Sequence, residues 1–126
     1  MRAVDTNVVV RIITRDDPRQ VAAADQFVAG GAWVPLLALA ETTWVLAAVY
    51  DRNADEIAAA VERLLDHREL TLQDPEVVAA ALEVFRRRPN LGFSDCLMLA
   101  IARRAGHLPL GTFDRTLSRV DGAVRV

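Results

Sequence analysis

Short apolar segments alternate with amphipathic helical segments along the whole chain, and this alternation is the feature that most constrains its fold. The helical segments have clear boundary signals. Asp17-Pro18 and Asp74-Pro75 each combine a capping acid with a proline suited to the first helical position, and Gly30-Gly31 ends a helix. Strands that alternate with helices favour a parallel sheet with helices on both faces. The pattern therefore predicts the α/β class with a central, mainly parallel sheet.

The predicted elements are short and follow one another without a long linker. Strands are predicted at residues 2–5, 32–35, 69–72, 107–112 and 123–126. Helices are predicted at residues 8–14, 18–28, 36–50, 54–65, 75–85, 94–104 and 114–119. A chain of 126 residues suits one domain and is too short for two full ones. We therefore expect a single domain over residues 1–126.

The basic residues exclude several classes of protein. All 15 are arginines, whereas a P-loop requires the lysine of its GK[ST] motif and a pyridoxal-phosphate enzyme requires a Schiff-base lysine. The lack of lysine also argues against a receiver domain, whose family uses one. The two histidines, His67 and His107, and the single Cys96 are too few ligands for a zinc site.

The sequence also indicates the cellular compartment in which the protein is expected. No signal-peptide pattern is seen at the N-terminus, and Cys96 alone cannot form an internal disulfide, so the reducing cytoplasm is expected. Pro35 interrupts the apolar segment 32–50 and leaves a helix of about 15 residues, or about 22 Å. The hydrocarbon core of a membrane is about 30 Å thick. With Glu41 near its centre, the segment is not expected to enter a membrane.

Four carboxylates occupy unusual positions: Asp5 at the end of a strand, Glu41 within an apolar helix, Asp95 at a helix start and Asp114 after the strand ending GTFD. Three of them have an ordinary explanation as a strand end, a first-turn helix acid or a helix cap. Glu41 is harder to explain, because no arginine on its own helix can reach it. A buried glutamate there lacks a local partner.

The positions of the four acids are better explained if the acids act as one group. In an open parallel sheet the carboxyl ends of the strands share one edge, where sites form, and the four acids can all face that edge. Their mutual repulsion is relieved by a divalent cation. Carboxylate oxygens without His or Cys suit the hard ions Mg²⁺ and Mn²⁺. Such an ion activates water, orients a phosphodiester and stabilises the departing oxygen, so the residues indicate metal-assisted phosphodiester hydrolysis.

Four stretches of the sequence resemble the motifs of a known family. They are VDTNVVVR at the N-terminus, LAETTWVL around position 41, SDCLMLAIARRAG at 94–106 and GTFD at 111–114. In this order they resemble the four motifs of the PIN domain, and most closely those of the bacterial VapC-type toxins, over essentially the whole chain. The resemblance implies a PIN-like three-layer α/β/α domain.

The resemblance also implies a catalytic site that binds Mg²⁺ or Mn²⁺ and cleaves RNA. The positions that match the four acids of the family are Asp5, Glu41, Asp95 and Asp114. The supporting positions that match are Thr6, Asn7 and Thr112. Some members have a further acid just past the fourth, where this chain continues with Arg115, Thr116, Leu117 and Ser118. The number of metal ions, one or two, therefore stays open.

A biological role follows from the same resemblance. It implies an endoribonuclease toxin that leaves a 3′-hydroxyl and a 5′-phosphate, forms a homodimer and is neutralised by a cognate antitoxin protein. An antitoxin arginine in the acidic groove would satisfy the charge that the metal otherwise satisfies. Transfer, ribosomal and messenger RNA all stay open as substrates, because specificity would depend on loop shape and arginine placement.

The net charge of −2 does not itself predict a nucleic-acid partner. Without the four site acids, however, 13 acidic residues remain against 15 arginines. Arginine pairs with phosphate through two hydrogen bonds, and such contacts position RNA without reading its sequence. The candidate RNA-binding residues are Arg11, Arg15, Arg86, Arg87, Arg88 and Arg115. The alternative for each is a solvated helix surface.

Two other functions stay open. In a haloacid-dehalogenase-like hydrolase, Asp5 would be the nucleophile, but phosphatases of that class have a second Asp two residues on, where this chain has Asn7, and a lysine that it lacks. A non-catalytic binding module would use its acids only to dock a basic partner. The intact set of four acids argues against the binding module.

Overall fold

The computed structural model describes all residues, 1–126. The chain divides into two compact units, Met1–Pro75 and Glu76–Val126. Strands and helices alternate in both units, as the sequence pattern predicts. The helices dominate, and every strand has two or three residues.

The first unit contains three strands and four complete helices. In chain order they are β1 Arg2–Ala3, α1 Thr6–Thr14, α2 Pro18–Val28, β2 Ala32–Val34, α3 Leu36–Ala48, α4 Ala54–Asp66 and β3 Leu70–Leu72. The strands form one parallel sheet in the order β1-β2-β3, in which Ala3 pairs with Trp33 and Trp33 pairs with Thr71. The carboxyl end of β1 therefore leads directly to Asp5.

The second unit contains two helices, a second pair of strands and a 3₁₀ turn. The elements are α5 Pro75–Arg87, which starts at the last residue of the first unit, α6 Phe93–Ala105, β4 Leu110–Thr112, the 3₁₀ turn Leu117–Arg119 and β5 Ala123–Arg125. Strands β4 and β5 pair in parallel, with Gly111 opposite Val124. All strand pairing in the chain is thus parallel, as predicted.

Each unit has its own apolar core. In the first, Val9, Leu39 and Leu46 are almost completely buried. In the second, Val78 and Cys96 are buried to the same degree. Burial, assisted by the charge of Asp95, raises the pKa of the Cys96 thiol to about 11. Cys96 is therefore a neutral core residue at physiological pH, as its apolar sequence context indicates.

The helix boundaries follow the local signals with small differences, except that the helix predicted at residues 114–119 is only the 3₁₀ turn Leu117–Arg119. Asp17 caps α2 by accepting hydrogen bonds from two backbone N–H groups. Asn53 and Glu56 form a reciprocal capping box on α4. Helix α6 starts one residue before the predicted cap, with Gly92 rather than Ser94 at the N-cap. Asp74 precedes α5 as predicted, but its φ of 46° lies in the left-handed region rather than in the extended region usual for a cap.

Helix α3 is not buried as its apolar sequence suggests. Leu37 and Trp44 expose 72% and 65% of their surface, and Glu41 between them is also exposed. Trp33, on β2, is exposed as well. The expectation that Glu41 is buried was wrong, because α3 packs against α1 and α4 through only part of its circumference. None of the helices combines the length and the apolar composition that a membrane span requires.

A polar network joins three elements of the first unit. Tyr50, just after α3, donates a hydrogen bond of 2.8 Å from its hydroxyl to Asp16 and accepts one of 3.1 Å from Arg11. Thr14 donates a second hydrogen bond to Asp16, and Arg11 also contacts Gln20. The hydrogen bond from Tyr50, followed by that from Thr14, lowers the pKa of the Asp16 carboxyl. The hydrogen bonds to Asp16 therefore stabilise the fold most while Asp16 is ionised.

Substitution Tyr50→Phe tests this network. We expect a lower free energy of unfolding at pH 7, because the ionised Asp16 loses its strongest hydrogen bond. Because the pKa of Asp16 is lower in the folded protein than in the unfolded one, its stabilising contribution is complete above the unfolded pKa of about 3.9. This contribution is lost as the pH falls through the folded pKa. The difference between Tyr50→Phe and wild type should therefore shrink below about pH 4 in urea titrations. An equal difference at pH 7 and pH 2.5 would contradict the assignment, and an Asp16→Asn background provides the control.

Candidate active site

Asp5 lies at the junction of β1 and α1, where it is the N-cap of the helix. Its backbone is extended, and its Oδ1 accepts a hydrogen bond of 3.2 Å from the backbone N–H of Val8. A carboxylate is a favoured cap because it satisfies a free N–H group and interacts well with the positive helix end. Asp5 is exposed, and its Oδ2 makes no hydrogen bond within the protein. One oxygen thus fixes the side chain while the other is available to a ligand.

Glu41 is held beside Asp5 by a side chain from α1. Helix α1 packs against α3, and the hydroxyl of Thr6 donates a hydrogen bond of 2.8 Å to Oε1 of Glu41. Thr6 is the residue directly after Asp5, so the same helix start positions both carboxylates. Oε2 of Glu41 makes no hydrogen bond within the protein. Glu41 therefore has a partner, a threonine hydroxyl on another helix, which the sequence of its own helix does not reveal.

The two carboxylates share an open depression of about 570 Å³. Its lining residues are Asp5, Thr6, Asn7, Glu41, Trp44 and Val45. A second depression, on the other side of Asp5 and Glu41, is lined in addition by Leu37 and Pro35. Neither lining contains a basic side chain. The first unit thus presents two ionisable carboxylates between exposed apolar walls.

The other two predicted acids lie in the second unit. Asp95 is in the first turn of α6 and is partly buried. Burial raises the pKa of its carboxyl, and the nearby negative charge of Asp114 raises it further. The two carboxylates are therefore close enough to repel each other, as carboxylates that share a cation do before the cation binds.

Asp114 is fixed by the turn that follows β4. Its Oδ1 accepts a hydrogen bond of 2.8 Å from the backbone N–H of Leu117, and its own N–H donates one of 3.0 Å to the hydroxyl of Thr112. Asp114 thus caps the turn that leads to the 3₁₀ segment, and Thr112 positions its backbone. Its Oδ2 makes no hydrogen bond within the protein. The structural role and the proposed catalytic role use different oxygens of one carboxylate.

The structure therefore brings the four acids together as two pairs, one in each unit. Within neither unit do three or more His, Cys, Asp or Glu side chains form a group that could hold a metal ion. The donor set nevertheless fits a hard divalent cation, because each acid keeps at least one carboxylate oxygen without a hydrogen bond inside the protein and no soft ligand is present at these positions.

The candidate RNA-binding arginines fall into two groups. Arg11 contacts Asp16 and Tyr50, and Arg15 makes two hydrogen bonds, of 2.7 and 3.3 Å, to the carboxylate of Asp25. These two side chains have partners inside the protein. Arg15 is exposed even so. Arg86, exposed on the last turn of α5, also interacts within the protein. Arg87, Arg88 and Arg115 are exposed at the end of α5, just after it and just after Asp114.

Sequence reasoning missed Trp44 as a residue of the site. The depression that contains both carboxylates has Trp44 as a wall, three positions after Glu41. Residues three apart on a helix lie on the same face, so the spacing of Glu41 and Trp44 could have given the signal. The general tendency of tryptophan to be buried outweighed it.

One comparison with known proteins identifies a family. The family model described as PIN domain matches residues 2–123, almost the entire chain and parts of both units. No curated protein matches the chain. The match confirms the predicted resemblance and the predicted fold class, a PIN-like α/β domain with parallel strands.

Substitution Glu41→Gln should leave the fold intact. The amide oxygen of glutamine can accept the same hydrogen bond from Thr6, and the side chain is exposed. The free energy of unfolding without added metal is expected to change by less than about 0.5 kcal/mol. Thermal unfolding in EDTA measures this change. If Glu41→Gln unfolded the protein, Glu41 would be a structural residue and its place in the site would have to be revised.

Substitution Asp95→Asn should stabilise the metal-free protein slightly, by less than about 1 kcal/mol. The reason is that it removes a partly buried charge and its repulsion by Asp114. The pKa of Asp95 is higher in the folded protein than in the unfolded one. Ionisation of Asp95 therefore does not destabilise the fold below the unfolded pKa of about 3.9, and it destabilises the fold fully above the folded pKa. The gain should therefore grow as the pH rises, and an equal gain from Glu83→Gln, an exposed control in the same unit, would contradict this explanation.

Proposed function

Because the chain belongs to the PIN-domain family, a nuclease-type fold, we propose that it is a metal-dependent endoribonuclease of the VapC type. The observation that supports this most directly is the pair Asp5 and Glu41 in one open depression, with Thr6 joining them. A second pair, Asp95 and Asp114, lies in the other unit. All four are the acids that the sequence motifs single out.

The proposal treats residues 1–126 as one PIN domain. The family model runs across both compact units, so the motifs of a single domain are divided between them. Asp5 and Glu41 come from the first two motifs, and Asp95 and Asp114 from the last two. In the proposed enzyme both pairs contribute to one catalytic site.

The metal would be held by Asp5, Glu41, Asp95 and Asp114, and Mg²⁺ or Mn²⁺ suits their oxygen donors. When bound, such an ion supplies Lewis acidity and charge stabilisation for phosphodiester hydrolysis. PIN-domain nucleases typically use divalent metals. The choice between the two ions, and between one ion and two, is open in this proposal.

The protein side chains supply position and proton transfer. Asp5 is fixed through Oδ1 by the start of α1, and Glu41 is fixed through Oε1 by Thr6. Asp114 is fixed through Oδ1 by Leu117, while Thr112 fixes its backbone. One of these carboxylates orients or deprotonates the attacking water. Hydrolysis then leaves a 3′-hydroxyl and a 5′-phosphate.

Arginines would bring the RNA to the acids. Exposed arginines near the end of α5, together with Arg115 beside Asp114, can pair with phosphates without reading the base sequence. Arg11 and Arg15 would first have to leave their carboxylate partners. We therefore assign phosphate binding first to Arg87, Arg88 and Arg115.

The proposed biological role is that of a cytoplasmic toxin in a toxin–antitoxin pair. A homodimer and a cognate antitoxin are part of this role, as the resemblance to VapC-type toxins implies. The depression of Asp5 and Glu41 contains no basic residue that could balance the charge of the two carboxylates. This supports an antitoxin that inserts an arginine into the depression and pairs with them.

RNA cleavage with a metal control tests the enzyme function. Total cellular RNA should be cut in Mg²⁺ or Mn²⁺ and remain intact in EDTA. Asp5→Asn should lower the rate by at least about 100-fold, because it removes a charged ligand while the amide oxygen still caps α1. Glu83→Gln, an exposed control outside the site, should cleave as wild type does.

The same experiment separates the alternatives. Cleavage that is unchanged in EDTA or in Asp5→Asn would exclude the metal mechanism. Complete absence of turnover, together with no stabilisation by Mn²⁺ in thermal unfolding, would favour a non-catalytic binding module. Mapping new 5′ ends after brief expression in cells would then identify which RNA is cut.

A further inference from the structure

The surface beside Glu41 contains exposed apolar side chains that the proposed chemistry does not use. Trp44 exposes 65% of its surface and lines the depression of Asp5 and Glu41. Leu37 exposes 72% and lines the depression on the other side of the same two acids. Neither side chain belongs to the core, because the buried residues of α3 are on the opposite side of the helix. Exposed apolar side chains that cluster beside polar groups, as Leu37 and Trp44 do beside Glu41, are typical of a binding surface.

Helix geometry places these side chains in one row. Glu41 follows Leu37 by four positions and precedes Trp44 by three, and residues with these spacings are neighbours on a helix surface. Glu41 is thus flanked along the helix axis by an aliphatic and an aromatic side chain. Glu41 and Trp44 also line the same depression, so a substrate bound there can reach both side chains.

The lining of the depression restricts what Trp44 can bind. Besides Trp44 and Val45, it consists of two carboxylates, a threonine and an asparagine, with no cation. A phosphate has no partner among these groups, so it would need the bound metal. A flat and uncharged group has a partner in the exposed indole of Trp44. The depression, at about 570 Å³, falls within the range of about 300–1,000 Å³ typical of small-molecule sites.

We propose that Trp44 stacks on the unpaired nucleobase next to the cleaved phosphodiester and so positions the RNA strand at Glu41 and Asp5. The inference rests on the proposed ribonuclease function. Base–aromatic stacking tolerates any base, because every base has a π face. It also requires that the base be unstacked from its neighbours, so Trp44 selects a nucleotide that is splayed out of a duplex.

A protein partner on the same row of side chains is the competing explanation. An RNA base is favoured because Trp44 lines the depression that contains both carboxylates rather than a surface apart from them. A phosphodiester bound at these acids joins two nucleotides, so a base lies directly next to it on either side. An aromatic side chain at this distance from the reacting bond is suited to substrate positioning.

The cleavage arm of the test compares variants of Trp44 on a mapped RNA substrate. Trp44→Ala should lower kcat/KM by about tenfold or more, as expected from loss of one stacked base, whereas Trp44→Phe should retain most of the activity. Val49→Ala removes an exposed apolar side chain directly after the end of α3, outside the depression, and should have no effect. Thermal unfolding of each variant verifies that it is folded.

Abasic substitution of the RNA decides which group Trp44 contacts. Each nucleotide near the cleavage site is replaced in turn by an abasic one, and wild type is compared with Trp44→Ala on each substrate. At one position, wild type and Trp44→Ala should cut the abasic RNA equally slowly, because wild type then has no base on which Trp44 can stack. An equal loss at every position, or no loss in Trp44→Ala at all, would overturn the proposal. So would a Trp44→Ala variant that cleaves normally but no longer binds a partner protein.

A binding arm keeps this result separate from failure of the enzyme function. The chain has two tryptophans, so in Trp33→Phe the fluorescence reports Trp44 alone, and Asp95→Asn in the same chain is expected to prevent turnover. Single-stranded oligoribonucleotides with Mg²⁺ should quench this fluorescence, whereas fully abasic strands and duplex RNA should not. If wild type cleaves no RNA, the proposed function fails, and quenching still decides whether Trp44 stacks on a base. Equal quenching by abasic strands would overturn the stacking.

Discussion

The arrangement of the acidic depression depends on one hydrogen bond, in which Oδ1 of Asp5 accepts from the backbone N–H of Val8. Because this bond caps α1, Asp5 ends the extended segment and Thr6 is the first helical residue. Thr6 can then donate to Glu41 where α1 packs against α3. An Asp-Thr pair at a strand–helix junction thus positions both carboxylates of the first unit.

Much of this scaffold could be predicted because its signals are local. The caps at Asp17 and Asn53 are set by hydrogen bonds within three residues of the chain, and Gly106 ends α6 in the left-handed conformation that glycine favours. The parallel class follows from the alternation of elements. The identity of the candidate acids follows from four motifs in order, of which each unit contains two.

The exposed face of α3 was hard to predict, because Glu41 is its only charged residue and apolar residues surround it in the sequence. Leu37 and Trp44 are no less apolar than the buried Leu39 and Leu46, so only the packing of α1 and α4 decides which side faces solvent. The internal partners of Arg11 were equally hidden, because Tyr50 lies 39 residues away. Contacts between distant segments, rather than composition, determine both outcomes.

The exposure of Leu37 and Trp44 separates stability from selectivity. Because neither residue is part of the core, substitutions there change the walls around the carboxylates with little cost to a folding free energy that is typically only about 5–15 kcal/mol. The groups that hold the two carboxylates, the hydroxyl of Thr6 and the backbone N–H of Val8, lie on α1. Evolution can therefore alter what this surface accepts on α3 while α1 keeps the reacting groups in position.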